Sequence, residues 1–317
     1  LDFSFSGSFV WTVFTQKLSI QEEVAEKRGL QMADHPRFGP AGVPPSFRFM
    51  KAALADVPRL LQEEGLDAFE YEAVRWGKKP QIKKEDAEEL GFAAKENDVW
   101  LSLHGSYFIN FCGSSRIVEA SKQRLVACAT AAEWMNAYVV VFHPGFYGEN
   151  SAEQAFDKCL RALQETVETL QSLGIRDVKI GPETMGRLFQ LGSLDEVMRL
   201  CETVEQTQLV IDWSHLHARD QGLFRTVDDF RRVVEKVESR LGTEAVENMH
   251  CHFTKIEFTR KGEKRHHTLE ETCYGPEFEM LAKVISEFRL KPVIISESPI
   301  LDIDAVRMRD MLQKIWS

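Results

Sequence analysis

Histidines and carboxylates recur in this chain at one kind of place, the end of a short apolar run. LSLHG carries His104, VVVFHPG carries His143, KIGPET carries Glu183, and VIDWSH carries Asp212 with His215 three residues on. NMHCHF holds His250 and His252, and VIISES holds Glu297. His266 and His267 follow in GEKRHHTL. Imidazoles and carboxylates are acid/base groups and are the usual ligands of Zn2+, Mn2+ and Fe2+. One histidine at a strand end is commonly a hydrogen-bonded loop residue, and one such glutamate commonly caps the next helix. Six successive runs ending this way call for another explanation. Buried carboxylates and imidazoles crowded at one spot are costly unless cations or partners neutralise them. The set exceeds the needs of one tetrahedral ion, so two or three ions bridged by Glu183 and Glu297 are expected.

The elements that must position these groups follow from the hydrophobic period. Short β-rich runs are expected at 37–42, 67–73, 98–105, 138–145, 177–184, 209–215, 247–253 and 291–298. Amphipathic helical patterns lie between them, among them SAEQAFDKCLRALQETVETLQSLG and DDFRRVVEKVESRLG, and a last one, DAVRMRDMLQKIWS, closes the chain. Several end in Gly or Asn, residues suited to a helix stop. Eight strand–helix units predict an α/β protein, a (β/α)8 TIM barrel. In that fold the C-terminal strand ends converge on one face, which is where the candidate metal site would form. An open doubly wound sheet is the other arrangement. No GxGxxG follows the first strand, and no GxxxxGK[ST] occurs. No Pro/Gly/Ser-rich linker interrupts the pattern, so a single barrel domain is expected over 35–317, with 1–34 as an extension of no assigned role.

Composition narrows the class. Apolar residues make up 44% and charged ones 28%, as in soluble globular proteins, and no apolar run is long enough for a membrane span. The six cysteines are scattered without a CxxC, which favours reduced thiols and a cytoplasmic setting. The N-terminal stretch has no basic start and no small-residue cleavage site, so a signal peptide is not expected. A net charge of −10 argues against nucleic acid as a partner, but the charge is uneven. RWGKKPQIKK gathers Arg75, Lys78, Lys79, Lys83 and Lys84, and TRKGEKR gathers Arg260, Lys261, Lys264 and Arg265. A serine hydrolase would want GxSxG, which is missing. Glu183 and Glu297 as a glycosidase pair would leave the histidines without a purpose.

The ordered set LHGSYFIN, VVFHPG, GPETMG, VIDWSHLHAR, NMHCH, GEKRHHTL and IISESP resembles the endonuclease IV apurinic/apyrimidinic endonucleases, in particular their archaeal-type branch, from about Arg37 onward. The resemblance implies a TIM barrel, a cluster of up to three metal ions (usually zinc, with Mn2+ or Fe2+ also suited), and cleavage of double-stranded DNA on the 5′ side of an abasic site, leaving a 3′-hydroxyl. It implies His104, His143, Glu183, Asp212, His215, His250, His266 and Glu297 as ligands. Glu183 and Glu297 would be the catalytic carboxylates, with Glu183 orienting the attacking water. His252 and His217 would be supporting residues. Arg75 and Trp76 would wedge or stack at the lesion, Tyr107 would contact DNA there, and Lys78 and Lys79 would hold phosphates. One departure stands out. Endonuclease IV proper has Asp-Arg-His where this chain has Lys264-Arg265-His266, and an ammonium cannot ligate a metal. Glu257, Glu263 or Glu270 could supply the missing carboxylate. A monomer nicking DNA in a prokaryotic cytoplasm is therefore the expectation. A sugar isomerase or epimerase on the same barrel, with one or two metal ions, is the alternative, and a non-enzymatic DNA-binding protein is a third.

Overall fold

The computed structural model describes residues 33–316. The expected extension at 1–34 lies almost wholly outside the described residues. Eight parallel strands run β1 Arg37–Pro40, β2 Ala68–Glu72, β3 Trp100–His104, β4 Val139–Phe142, β5 Lys179–Pro182, β6 Val210–Asp212, β7 His250–Phe253 and β8 Val293–Ser296. They form two half-sheets, β2-β3-β4-β5 and β6-β7-β8-β1. Single bridging pairs join the halves, Ala41 to Glu70 on one side and Glu183 to Val210 on the other, so the sheet closes on itself. Closure brings β1 and β2 very near one another. A Cβ on Gly39 would sit 1.7 Å from the Ala68 carbonyl oxygen, so only glycine fits there.

The helices that pack outside follow their sequence pattern. Helix Ala152–Ser172 buries Ala155, Phe156, Cys159, Ala162, Leu163, Thr166, Val167 and Leu170, a stripe at helical spacing. Its N-terminus is fixed by a capping box between Ser151 and Gln154. Ser193 and Glu196 do the same for Leu194–Thr203. Helices Val227–Leu241, Phe278–Phe288 and Asp302–Ile315 fall within a few residues of the expected positions. All six cysteines are free thiols. No helix among the described residues is long and apolar enough to cross a membrane.

Strand alternation sorts the barrel interior into layers. Residues opposite one another in parallel strands face the same way, so register shows which side chains share a level. Ala68 pairs with Trp100, Glu70 with Ser102, and Glu72 with His104. On the other half-sheet Val293 pairs with His250, and Ile295 with His252. Ala68, Val293 and Ile295 pack together, with Ala41, Trp100 and Tyr138 against them, in a small apolar cluster apart from the main core.

The sequence did not announce one element. Lys255–Thr259 and Gly262–His267 form an antiparallel hairpin after β7, so His266 lies on a strand and not in a loop. The hairpin docks on the loop after β5: the Glu263 amide donates to the Gly186 carbonyl at 3.1 Å and the Leu188 amide to the Lys261 carbonyl at 3.2 Å. Gly262 makes this contact possible. Its φ is +93°, and a Cβ there would meet the Gly186 carbonyl oxygen at 2.1 Å.

Candidate metal centre

Glu183, just past β5, is fully buried and is the hub of the barrel mouth. Its Oε2 lies 2.9 Å from His143 Nε2 and 3.5 Å from His104 Nε2. Its Oε1 lies 3.0 Å from His252 Nδ1 and 3.4 Å from His215 Nδ1. Burial alone would raise the Glu183 carboxyl, but His252 and His143 outweigh it and hold the carboxylate well below its usual range. Glu297 is held down to about 2 in the same way, again against burial and chiefly by His252. At Asp212 burial outweighs His215, 3.2 Å away, and with Glu297 and Glu183 nearby lifts the carboxyl to about 6. These are the electrostatics of a site that carries protons where it could carry cations.

Backbone carbonyls fix several imidazoles. A carbonyl only accepts, so the ring nitrogen facing it must carry the proton. His104 Nδ1 donates to the Gly105 carbonyl at 3.0 Å, His215 Nδ1 to Thr184 at 3.0 Å, and His266 Nδ1 to Glu297 at 3.2 Å. Each then presents Nε2 to the site, the orientation that metal-binding histidines use. Asp212 ends β6 and also caps helix Trp213–Arg219, accepting from the His215 amide with Oδ1 at 2.8 Å. Its Oδ2 faces the site.

The fit to metal ions is tested by what these atoms lack. His104 Nε2, Glu183 Oε2 and Asp212 Oδ2 are buried without a hydrogen-bond partner. Orphaned buried acceptors converging on one space are costly unless a cation joins them. Among the described residues four overlapping groups at the mouth could hold an ion: His104, His143 and Glu183; Glu183, Asp212, His252 and Glu297; His104, His252 and Glu297; and His215, Glu263 and His266; a fifth, Glu70, His250 and His252, lies deeper. Within each, the ligand atoms lie within 4.8 Å of one another. The donor set of nitrogen and oxygen without thiolate suits Zn2+, Mn2+ or Fe2+.

The structure brings together His104, His143, Glu183, Asp212, His215, His266 and Glu297, as expected. It rearranges β7. His252, expected as a supporting residue, stands among Glu183, Asp212 and Glu297, with Glu297 Oε1 3.2 Å from its Nδ1. His250, expected as the ligand, points the same way one level deeper. Its Nε2 is 3.2 Å from Glu70 Oε2, and its Nδ1 faces the Tyr138 hydroxyl at 2.5 Å. Two residues along a strand is a step of about 6.6 Å, so only one of the two histidines can share the level of Glu183. His217 also lies apart. Its Nδ1 accepts from the Phe224 amide at 3.1 Å and its ring packs on Phe224 and Phe258.

The missing carboxylate is found one residue away from where the resemblance puts it. The hairpin register pairs Glu257 with Arg265 and then Phe258 with Glu263, so Lys264 is the extra residue of a β-bulge. A bulge reverses the alternation beyond it. Glu263 therefore turns to the His266 face, where its Oε2 comes 3.5 Å from His215 Nε2. Lys264 turns outward and binds Glu257 at 2.5 Å. Replacing Glu263 by Gln is expected to lower the affinity of one ion by about ten- to a hundredfold while the others stay bound, as measured by competition with a chromophoric chelator. Unchanged affinity at every site would exclude Glu263 as a ligand.

Of the expected DNA contacts, Arg75, Lys78 and Lys79 are exposed on the loop after β2. Tyr107 is exposed beside the mouth, its ring stacked on His143 with centroids 5.2 Å apart. Trp76 corrects the expectation of a stacking wedge. It is 5% exposed, packs edge-on against Tyr71, and its carbonyl accepts from Ser106 Oγ at 2.8 Å. The indole supports the loop and does not reach a partner. The residues missed altogether were Glu70, Glu72 and Tyr138. The FEYE pattern of β2, with two glutamates on the inward face of a buried strand, was their signal.

A family model described as a xylose isomerase-like TIM barrel matches residues 58–313. An uncharacterized protein of Methanocaldococcus jannaschii is 34% identical over 272 residues, which covers 85% of this chain and 94% of that protein. A probable endonuclease 4 of Staphylococcus carnosus is 26% identical over 160 residues, 49% of this chain and 52% of that one. Among solved structures, endonuclease IV from Thermus thermophilus superposes with a TM-score of 0.61 at 19% identity, over 82% of this chain and 94% of that one. A D-tagatose 3-epimerase-like protein does so equally, with a TM-score of 0.61 at 19% identity over 83% and 94%. At such identity both likenesses speak for the fold alone. With eight strands closed into a barrel, ligands gathered at their C-terminal ends and most of the chain matched, this protein belongs to the xylose isomerase-like TIM barrel family.

Proposed function

We propose that this chain is a metal-dependent endonuclease that hydrolyses the DNA phosphodiester on the 5′ side of an abasic site, with two or three zinc ions as its cofactor. The observation that carries the reading is the number of candidate ligands: the groups at the mouth draw on nine side chains, more than one ion uses, and His215, Glu263 and His266 form a group that shares no residue with the others. Cations held there would supply Lewis acidity toward a bridging phosphate and its leaving oxygen.

The chain's own groups define the rest. The ionised Glu183 and Glu297 accept hydrogen bonds from the attacking water and orient it. The water oxygen bonds to phosphorus and the bond from phosphorus to the 3′ oxygen breaks. One proton of the water ends on that oxygen, giving a 3′-hydroxyl and leaving the phosphate on the abasic sugar. An abasic nucleotide lacks stacking and is the easiest to extrude toward a recessed mouth. Tyr107, held over His143, is placed to pack against it. Arg75, Lys78 and Lys79, on the loop after β2, supply the positive charge that an acidic protein needs to hold phosphates.

The test is an end-labelled duplex with one abasic site, incubated with the zinc-loaded chain. A single nick 5′ to the lesion is expected, with a 3′ end that a polymerase extends, abolished by chelator and restored by zinc. Conversion of a ketohexose with no nicking would replace this reading with the epimerase one.

A further inference from the structure

Below the metal-binding mouth lies a second polar level that the proposed reaction does not use. Glu70, Ser102 and His250 are all at most 1% exposed and belong to β2, β3 and β7. Tyr138, just before β4, reaches into the same level. A buried carboxylate among strands is costly, and here it is met by a chain of donors with a definite direction.

The direction follows from Glu70, whose carboxylate only accepts. His250 Nε2 therefore donates to Glu70 Oε2 at 3.2 Å, and Ser102 Oγ donates to the same oxygen at 2.8 Å. With its proton on Nε2, the neutral His250 ring accepts at Nδ1 from the Tyr138 hydroxyl at 2.5 Å. Oε2 has two donors. Oε1 has no hydrogen-bond partner and lies 3.1 Å from His252 Nε2, which has none either. The two atoms are at ion-pair distance, and their angle falls short of a hydrogen bond. His252 Nδ1, at the opposite edge of the ring, meets Glu183 Oε1 at 3.0 Å and Glu297 Oε1 at 3.2 Å.

The structure assigns Glu70 as the positioning residue of the metal centre: by accepting from the Nε2–H of His252, it keeps the proton on that nitrogen and leaves the Nδ1 lone pair facing the ion shared with Glu183, Asp212 and Glu297. A carboxylate behind a ligating imidazole fixes its tautomer and raises its basicity. His252 thereby differs from His104, His215 and His266. Those three are pinned through Nδ1 by backbone carbonyls and present Nε2. His252 is instead flanked by carboxylates on both edges of its ring, Glu70 on one and Glu183 with Glu297 on the other.

This inference rests on His252 being a metal ligand but not on what the substrate is, so its test reads the metal and the ring directly. Zinc-loaded protein labelled with 15N-histidine is examined by long-range 15N–1H correlation, with His252 assigned from a His252→Gln spectrum. His252 is expected to carry its proton on Nε2 and its metal on Nδ1; a metal on Nε2 overturns the assignment. In Glu70→Gln, zinc affinity at one site is expected to fall by about ten- to a hundredfold, and the His252 nitrogen shifts to move toward a tautomer mixture. Ser102→Ala, a milder change that frees Glu70 Oε2 of one donor, is expected to shift the same signals without unfolding the chain. If the Gln variant does not fold, unmoved His252 signals in Ser102→Ala overturn the proposal. So do unchanged affinity and unchanged shifts in a folded Gln variant. A wild-type chain that binds no zinc overturns both this inference and the metal reading beneath it, whereas failure to nick DNA with these signals intact overturns only the proposed substrate.

Discussion

Glu183→Gln is expected to leave the barrel folded and to reduce phosphodiester cleavage by on the order of a thousandfold or more, the scale of losing a principal source of charge stabilisation in a transition state. The reason is the number of roles that converge on one carboxylate. His104, His143, His215 and His252 all approach its two oxygens within 3.5 Å, and it belongs to two of the candidate ligand groups. The amide keeps the volume and one accepting oxygen but loses the charge. The fold should survive because the surrounding histidines can shed protons and become neutral, which limits the cost of an uncompensated buried charge. Circular dichroism and cooperative thermal unfolding check the fold, steady-state nicking checks the rate, and the metal content should fall by at least one ion. Full activity in a folded variant would remove Glu183 from the mechanism.

Metal binding is expected to expel protons and to tighten as pH rises. Without a cation, burial would lower His104, but the carboxylates of Glu183, 3.5 Å away, and Glu72 prevail and push it up to about 10. His215 and His252 are likewise raised well above the ordinary imidazole range by the carboxylates around them, against burial. The sign is then fixed. A group whose pKa is raised holds its proton at pH 7, and an ion that ligates the imidazole must displace that proton. Apparent affinity should therefore increase by about tenfold per pH unit for each displaced proton between pH 6 and 8. Asp212, lifted to about 6 mainly by burial, adds to the competition only at the acid end of that window. Zinc titration in weak buffer with an indicator dye should register the released protons directly. Affinity that is flat across this range, with no release, would show that these histidines are not ligands.

How much of this was legible in the chain depends on which geometric question each residue asks. Ending apolar runs with His104, His143, Glu183, Asp212 and Glu297 puts them at one face, and sequence order alone says so once eight strands are counted. Depth inside the barrel is a different matter. His250 and His252 have the same facing and the same chemistry, and the period of two that identifies a strand is blind to which level the site occupies. Glu70 and Glu72 went unread because attention to strand ends overlooks the inward residues below them. Trp76 was assigned from its place in a basic loop, but a large indole gains about 1.5–3 kcal/mol or more by burial, and the loop folds it inward. The hairpin was hidden because its residues are charged and its core-facing positions are few.

The bulge in that hairpin also changes how the chain should be compared with its relatives. Matched letter by letter, Lys264 looks like the replacement of an acid by a base, and the ligand group of His215 and His266 looks broken. Matched in space, Glu263, Arg265 and His266 stand in the order acid, Arg, His, and Lys264 is the extra residue between them, looped outward. A column-wise comparison places Lys264 against the acid, whereas the carboxylate that faces His215 belongs to Glu263, one position upstream.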